Sequence, residues 1–231
     1  MVNPSRMQPA VKPASSSVAK PAARQTRQRG RPARDAAAFV DEHHLLDRAF
    51  HAFAQRGYEG TTLRALAKDL GISHNLLNVR FGSKADLWRR AVDARVARIG
   101  PPVFAAFNAP GLDDTTRFKE LIHRLCAWAA ENPDFVSLIH TEGRCATWRL
   151  DYLVKTHVLP FKQLLEALIS RLSATCPVRN ISTPAIMALL VQGVGFYFAS
   201  GPLLEKIGEP LDITREQRVR IFADFILAGL V

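Results

Sequence analysis

Cysteine is scarce in this chain of 231 residues: there are three, Cys126, Cys145 and Cys176. Their wide spacing excludes CxxC pairs and zinc-finger ligand sets. An odd number of scattered thiols points to a reducing cytoplasm and to no structural disulfide. Acidic groups are missing from residues 1–34, which carry eight basic ones: Arg6, Lys12, Lys20, Arg24, Arg27, Arg29, Arg31 and Arg34. The rest of the chain holds 23 basic groups against 21 acidic, so most of the net charge of +10 lies in this short stretch. Such asymmetry predicts an anionic polymer or surface as partner. The start lacks the apolar run of a secretory leader. An uncharged stretch at 185–204 is about long enough for a bilayer. Gln192, Ser200 and Gly201-Pro202 interrupt it and no basic cluster flanks it, so it reads as a helix buried among helices, with no membrane partner.

Strict apolar–polar alternation is also lacking, which argues against a sheet, and no internal repeat is visible. There is no nucleophile elbow, phosphate-binding glycine loop, HExxH pair or cluster of carboxylates in a core segment. His43, His44 and His51 fall near one another on the first expected helix, but no cysteine or carboxylate completes a zinc site. The expectation is therefore a protein without catalytic residues, metal or cofactor. A membrane-associated or nonspecific basic interaction protein is the alternative, because the basic stretch can bind any anionic surface.

What is present is helix after helix. Residues 1–36, rich in Pro, Ser, Ala and Arg, hold too few large apolar side chains to offset the entropy of ordering and are expected to be a disordered basic arm. A first helix is expected over 39–56, with Leu45, Leu46, Ala49, Phe50, Phe53 and Ala54 in one stripe and Gly57 past its end. Thr62 is a natural N-cap for a short second helix whose Leu63, Leu66, Ala67 and Leu70 recur at helical spacing. Gly71 and Ile72 separate it from the next cap, Ser73, and a third helix follows over 74–80. Two short helices joined by a tight turn containing glycine form a helix-turn-helix at 62–82. Ser83, with Asp86 three residues on, caps a fourth helix ending near Ile99, where Gly100-Pro101-Pro102 is expected to stop it. Further helices are expected at 114–131, 134–142, 148–173 with a kink at Pro160, 183–200, and 215–230 behind a Thr214/Gln217 box.

On a helical wheel Leu77 and Phe81 of the third helix face inward, and Asn75 and Val79 point nearly the opposite way. Leu76 and Asn78 flank them, and His74 lies at the exposed N-terminal end. A helix entering the major groove needs such a face: Asn75 and Asn78 can pair with an adenine edge, and Leu76 and Val79 can meet thymine methyls. Thr62 and Arg64 open the second helix, where amides and a guanidinium can meet a phosphate. In the arm, Arg29-Gly30-Arg31-Pro32 resembles the core of an AT-hook, whose arginines follow the minor groove. The other reading is a solvated basic tail that adds only nonspecific phosphate attraction.

The stretch LLDRAFHAFAQRGYEGTTLRALAKDLGISHNLLNVRFGSKADLW resembles the N-terminal domain of TetR-family regulators. The matching features are Leu45-Leu46 with Phe53, Gly57-Tyr58, Thr61-Thr62, Leu66-Ala67, Gly71-Ile72-Ser73, Leu77 and Phe81-Gly82-Ser83-Lys84. The family's Lys-Gly-Thr opening of the recognition helix is replaced here by His74-Asn75-Leu76, and its Tyr before the Phe by Asn78-Val79-Arg80. Arg80 is the candidate to replace the Tyr's phosphate contact, although the wheel turns it partly toward the core. The resemblance implies an all-α fold, with a three-helix DNA-binding domain at 37–99 and a helical bundle for ligand binding and dimerisation at 100–231. It also implies that Lys84 reaches the DNA backbone, and that a homodimer on double-stranded DNA, nucleoid-associated in the cytoplasm, is released from a palindromic operator by a small apolar ligand.

The helices at 183–200 and 215–230 suit the dimer role. Gly193 and Gly195 permit close approach, and Val219, Phe222, Ile226 and Leu230, with Phe225 adjacent, form an apolar face that needs a partner. Ligand-pocket candidates are apolar or aromatic residues near isolated polar groups: Phe104, Phe107, Trp128, Phe135, His140, Trp148, Tyr152, Gln192 and Phe196.

Overall fold

A computed structural model describes residues 41–174, 181–208 and 212–230; the basic arm, with Arg29 and Arg31, and Cys176 lie outside the described residues. No strand occurs among them. The order is α1 (Glu42–Gly60), α2 (Leu63–Asp69), α3 (His74–Phe81), α4 (Lys84–Ile99), α5 (Pro101–Phe107), α6 (Asp114–Glu131), α7 (Pro133–Glu142) and α8 (Trp148–Leu153). A π-helical stretch, π1 (Val154–Val158), leads into α9 (Leu159–Ser173). Then come α10 (Thr183–Ala188), a second π-helical stretch π2 (Leu189–Val194), α11 (Gly195–Ala199), α12 (Gly201–Lys206) and α13 (Arg215–Leu230).

The N-terminal unit follows from its punctuation. Gly57 adopts φ 70°, a conformation that disfavours a side chain, and breaks the helical path of α1 near its end. The fully buried Thr61 closes that end: its hydroxyl donates to the carbonyls of Gly57 at 2.8 Å and Ala52 at 3.2 Å. Thr62, Ser73 and Ser83 each accept an amide hydrogen bond from three residues on, at 3.1 Å in every case. Ser83 and Asp86 form the reciprocal box as expected, and Gln217 and Thr214 form the second one. Leu45, Leu46, Ala49, Phe50 and Phe53 of α1 pack with Leu66 of α2, Leu77 and Phe81 of α3, and Leu87, Trp88 and Val92 of α4. This core also takes in Phe135, Leu138 and Leu153 from the second half of the chain, so the two halves are joined through shared apolar packing.

The second core surrounds α6, whose Phe118, Leu121, Ile122, Leu125 and Cys126 are buried among side chains of α9, α10, π2 and α13. Here the structure corrects several expectations. Gly100-Pro101-Pro102 does end α4, but the prolines at once open α5, where the first-turn amides need no partner. Pro202 likewise opens α12. At Pro160 the helical path stays in the right-handed region, and the missing donor is preceded by the wider winding of π1. The face of α13 formed by Val219, Phe222, Ile226 and Leu230 is not the unpartnered one. It packs into the chain's own core and leaves Ile221 and Phe225 outward. Gly195 permits a close approach within the chain rather than to a partner, since a Cβ there would lie 2.8 Å from both methyls of Val136. No helix among the described residues is long and apolar enough to cross a membrane.

Candidate nucleic-acid interface and ligand cavity

The turn between α2 and α3 is set by Gly71, whose φ of 67° reverses the chain in few residues. Leu77 and Phe81 anchor α3 in the N-terminal core. The opposite face is bare: Val79 is 77% exposed, and Ser73, His74 and Asn75 are exposed beside it. Leu76 and Asn78 are half-buried at its edges, and Asn78 Nδ2 lies 3.3 Å from His74 Nδ1. Thr62 and Arg64 are exposed at the start of α2. Two expected phosphate contacts are engaged elsewhere. The Arg80 guanidinium lies 3.6 Å from Glu42 of α1, a carboxylate it shares with Arg90. The Lys84 ammonium lies 4.1 Å from the centre of the Tyr58 ring and 4.0 Å from Glu59. Either side chain must leave a partner to reach DNA.

A cavity of about 280 Å³ is walled by α4, α5, α6, α7, α8, π1, α9, α10 and π2. Its lining is apolar: Val96 and Ile99 of α4, Val103 and Phe104 of α5, Leu125 and Trp128 of α6, Phe135 and Ile139 of α7, Phe161 of α9, and Leu190 and Val191 of π2. The polar side chains in the lining are His157 and Gln192, with no Lys, Arg, Asp or Glu. His157 Nε2 is 2.9 Å from one oxygen of Asp93 on α4, and the Tyr152 hydroxyl donates to the other at 2.7 Å. Burial, reinforced by the Asp93 hydrogen bond and charge, pushes the Tyr152 phenol up to about 12, so it stays a donor at neutral pH. Gln192 Oε1 is 2.6 Å from His140 Nδ1. α4, the helix that follows α3, also forms one wall of the cavity.

Residues 45–91 match the family model described as bacterial regulatory proteins, TetR family. Over this stretch the chain is similar to the DNA-binding domain of TetR-family regulators. A curated relative, the uncharacterized HTH-type transcriptional regulator YezE of Bacillus subtilis (strain 168), is 37% identical over 67 residues. The match spans 29% of this chain and about a third (34%) of that protein's length. Solved structures resemble the fold over most of the chain. The ketosteroid transcriptional regulator KstR2 of Mycobacterium tuberculosis aligns with a TM-score of 0.63 at 16% identity, over 81% of this chain and 93% of that one. The fatty acid degradation regulator FadR of Bacillus halodurans aligns with a TM-score of 0.61 at 16% identity, over 83% and 100%. At this identity these two neighbours report the fold.

Within this bundle the cavity takes up only some of the expected ligand residues. Phe104, Trp128, Phe135 and Gln192 line it. His140 reaches it through Gln192, and its ring lies 5.8 Å from that of the half-exposed Phe196. Phe107 packs on Phe161 behind the wall. Trp148 and Tyr152 are not cavity residues: they pack edge-on against Trp88 in the N-terminal core, and Arg149 beside them pairs with the buried Glu142 at 2.8 Å. Sequence reasoning missed His157 and Met187, which do line the cavity. The one available sign was an imidazole in an otherwise helical run, and its neighbours Lys155 and Thr156 made that run read as solvent-facing.

Proposed function

We propose that this protein is a TetR-family, sequence-specific DNA-binding transcription regulator that acts as a homodimer and is released from its operator by a small apolar ligand. The observation that carries the reading is the bare face of α3, with Val79 and Asn75 outward on a helix held from behind by Leu77 and Phe81. An exposed methyl-bearing side chain beside an amide suits a major-groove face, with Val79 against thymine and Asn75 against adenine. Thr62, Arg64 and Ser73 border that face and contact phosphate, and the basic arm adds attraction to the backbone.

The dimer reading is supported by the outward apolar side chains Leu203, Ile207, Ile221 and Phe225 near the end of the chain. A second copy covering them places two α3 helices on one DNA face, about 34–36 Å apart or a multiple of it. The ligand reading is supported by the apolar cavity, part of whose wall is α4. A ligand favouring one position of α4 changes operator affinity by its differential affinity for the two states.

The test is selection of duplexes from a random pool at near-physiological salt. One recovered inverted repeat, lost in the Asn75→Ala/Val79→Ala variant, is the expected result. Unrelated sequences, bound only while residues 1–36 are present, would sink the reading and leave a nonspecific basic protein.

A further inference from the structure

The polar chemistry of the cavity narrows what it can take, given the reading of it as the regulator's ligand site. Its lining offers no Lys or Arg to meet a carboxylate or phosphate. An ionised group there would lose its hydration without compensation, a cost far larger than one hydrogen bond returns. Gln192 Oε1 is already engaged by His140. His157 remains.

Its tautomer is set from outside the cavity. The Asp93 carboxylate only accepts hydrogen bonds, and it takes one from the Tyr152 hydroxyl at 2.7 Å and one from His157 Nε2 at 2.9 Å. Nε2 therefore carries the proton, and in the neutral ring Nδ1 is an acceptor. Nδ1 makes no hydrogen bond among the described residues, on a ring that lines the cavity. Size gives a second limit. An apolar cavity of about 150 Å³ holds benzene, so the 280 Å³ here suits a body of about two fused rings.

We propose that the cavity binds a neutral, two-ring-sized apolar molecule bearing a hydroxyl, whose O–H donates to Nδ1 of His157. The ligand then joins a chain of hydrogen bonds that ends on Asp93 of α4, so that His157 reads the ligand and its partner carboxylate belongs to the helix leading from the DNA-binding unit. Phe104, Trp128 and Phe161 supply the ring contacts.

The probes are naphthalene, 2-naphthol and 2-naphthoate, titrated calorimetrically into the full chain without DNA. One net hydrogen bond predicts 2-naphthol binding about fivefold tighter than naphthalene. 2-Naphthoate is expected to bind at least about tenfold more weakly than naphthalene. His157→Leu is expected to abolish the advantage of 2-naphthol and to keep naphthalene binding. In case that variant does not fold, histidine-selective ¹⁵N spectra of the wild-type protein give a second readout. One ring shows an unprotonated Nδ1 whose resonance moves on adding 2-naphthol and stays in place with naphthalene. Tightest binding by 2-naphthoate, an unchanged 2-naphthol advantage in His157→Leu, or no binding of any probe overturns the proposal. None of these outcomes touches operator selection, which tests the DNA-binding reading separately.

Discussion

Val79 and Cys126 mark two extremes of one physical variable, access to solvent. Val79 is outward on α3, so removing it together with the Asn75 amide is expected to leave thermal stability within about 2 °C of the parent, as for surface changes generally. The same double change is expected to lower operator affinity on the order of a hundredfold, because each base contact discriminates by roughly 1–3 kcal/mol. Fluorescence anisotropy on the selected operator measures it, and an undiminished affinity would remove α3 from the groove. Cys126 is fully buried, and desolvation pushes its thiol from 9.0 up to about 12. The unfolded chain releases this proton above pH 9 while the folded chain keeps it, so its contribution to stability is whole below pH 9 and lost as pH rises toward 12. Cys145 is exposed. Brief iodoacetamide treatment of the native protein at pH 8 is therefore expected to label Cys145 well before Cys126, read by peptide mass spectrometry. Equal labelling would mean that the α6 core opens freely.

At the scale of elements, two small residues carry local loads. Thr61→Val keeps the volume but withdraws the hydroxyl from the carbonyls of Ala52 and Gly57. A loss of about 1–2 kcal/mol is expected in urea denaturation, and no loss would mean that water replaces the hydroxyl at the end of α1. Gly195→Ala drives a methyl to 2.8 Å from both methyls of Val136, so a cost of about 1–3 kcal/mol is expected, whereas nothing lies within 4 Å of a Cβ at Gly193 and Gly193→Ala should be near neutral in the monomer. Elements were legible where a cap announces them: Thr62, Ser73, Ser83 and Thr214 are read from sequence and act as caps, and 114–131 and 215–230 coincide with α6 and α13. α5 and α12 were not, because proline was read as an end when at the first turn it serves as a beginning. Nor does composition decide between two cores. Trp148 and Tyr152 are as aromatic as Trp128, yet they support the N-terminal unit and Trp128 lines the cavity. The exposed face of α3 needed only a period of 3.6 and was legible from four residues, Asn75, Leu77, Val79 and Phe81.

For the whole molecule, the outward apolar residues of α12 and α13 set the expected assembly. Phe225 is 77% exposed and Ile221 lies beside it on α13. Replacing Phe225 with Glu puts a charge on the surface proposed to meet a second copy, where burial without a partner is costly. Sedimentation velocity is expected to show a dimer for the parent and a monomer for Phe225→Glu. Operator affinity should then fall steeply while the fold persists. A dimer that survives the change would place the interface elsewhere.

The two π-helical stretches carry a consequence for descent. A π turn is an α turn with one residue inserted, and the helix on either side keeps its course. Here both such turns fall on the cavity wall, where π1 supplies His157 and Val158 and π2 supplies Leu190, Val191 and Gln192. Loss or gain of a single codon in either stretch therefore changes which side chains line the cavity. Among the described residues these are two places at which one in-frame indel re-faces the cavity and leaves untouched the α3 surface proposed to meet DNA.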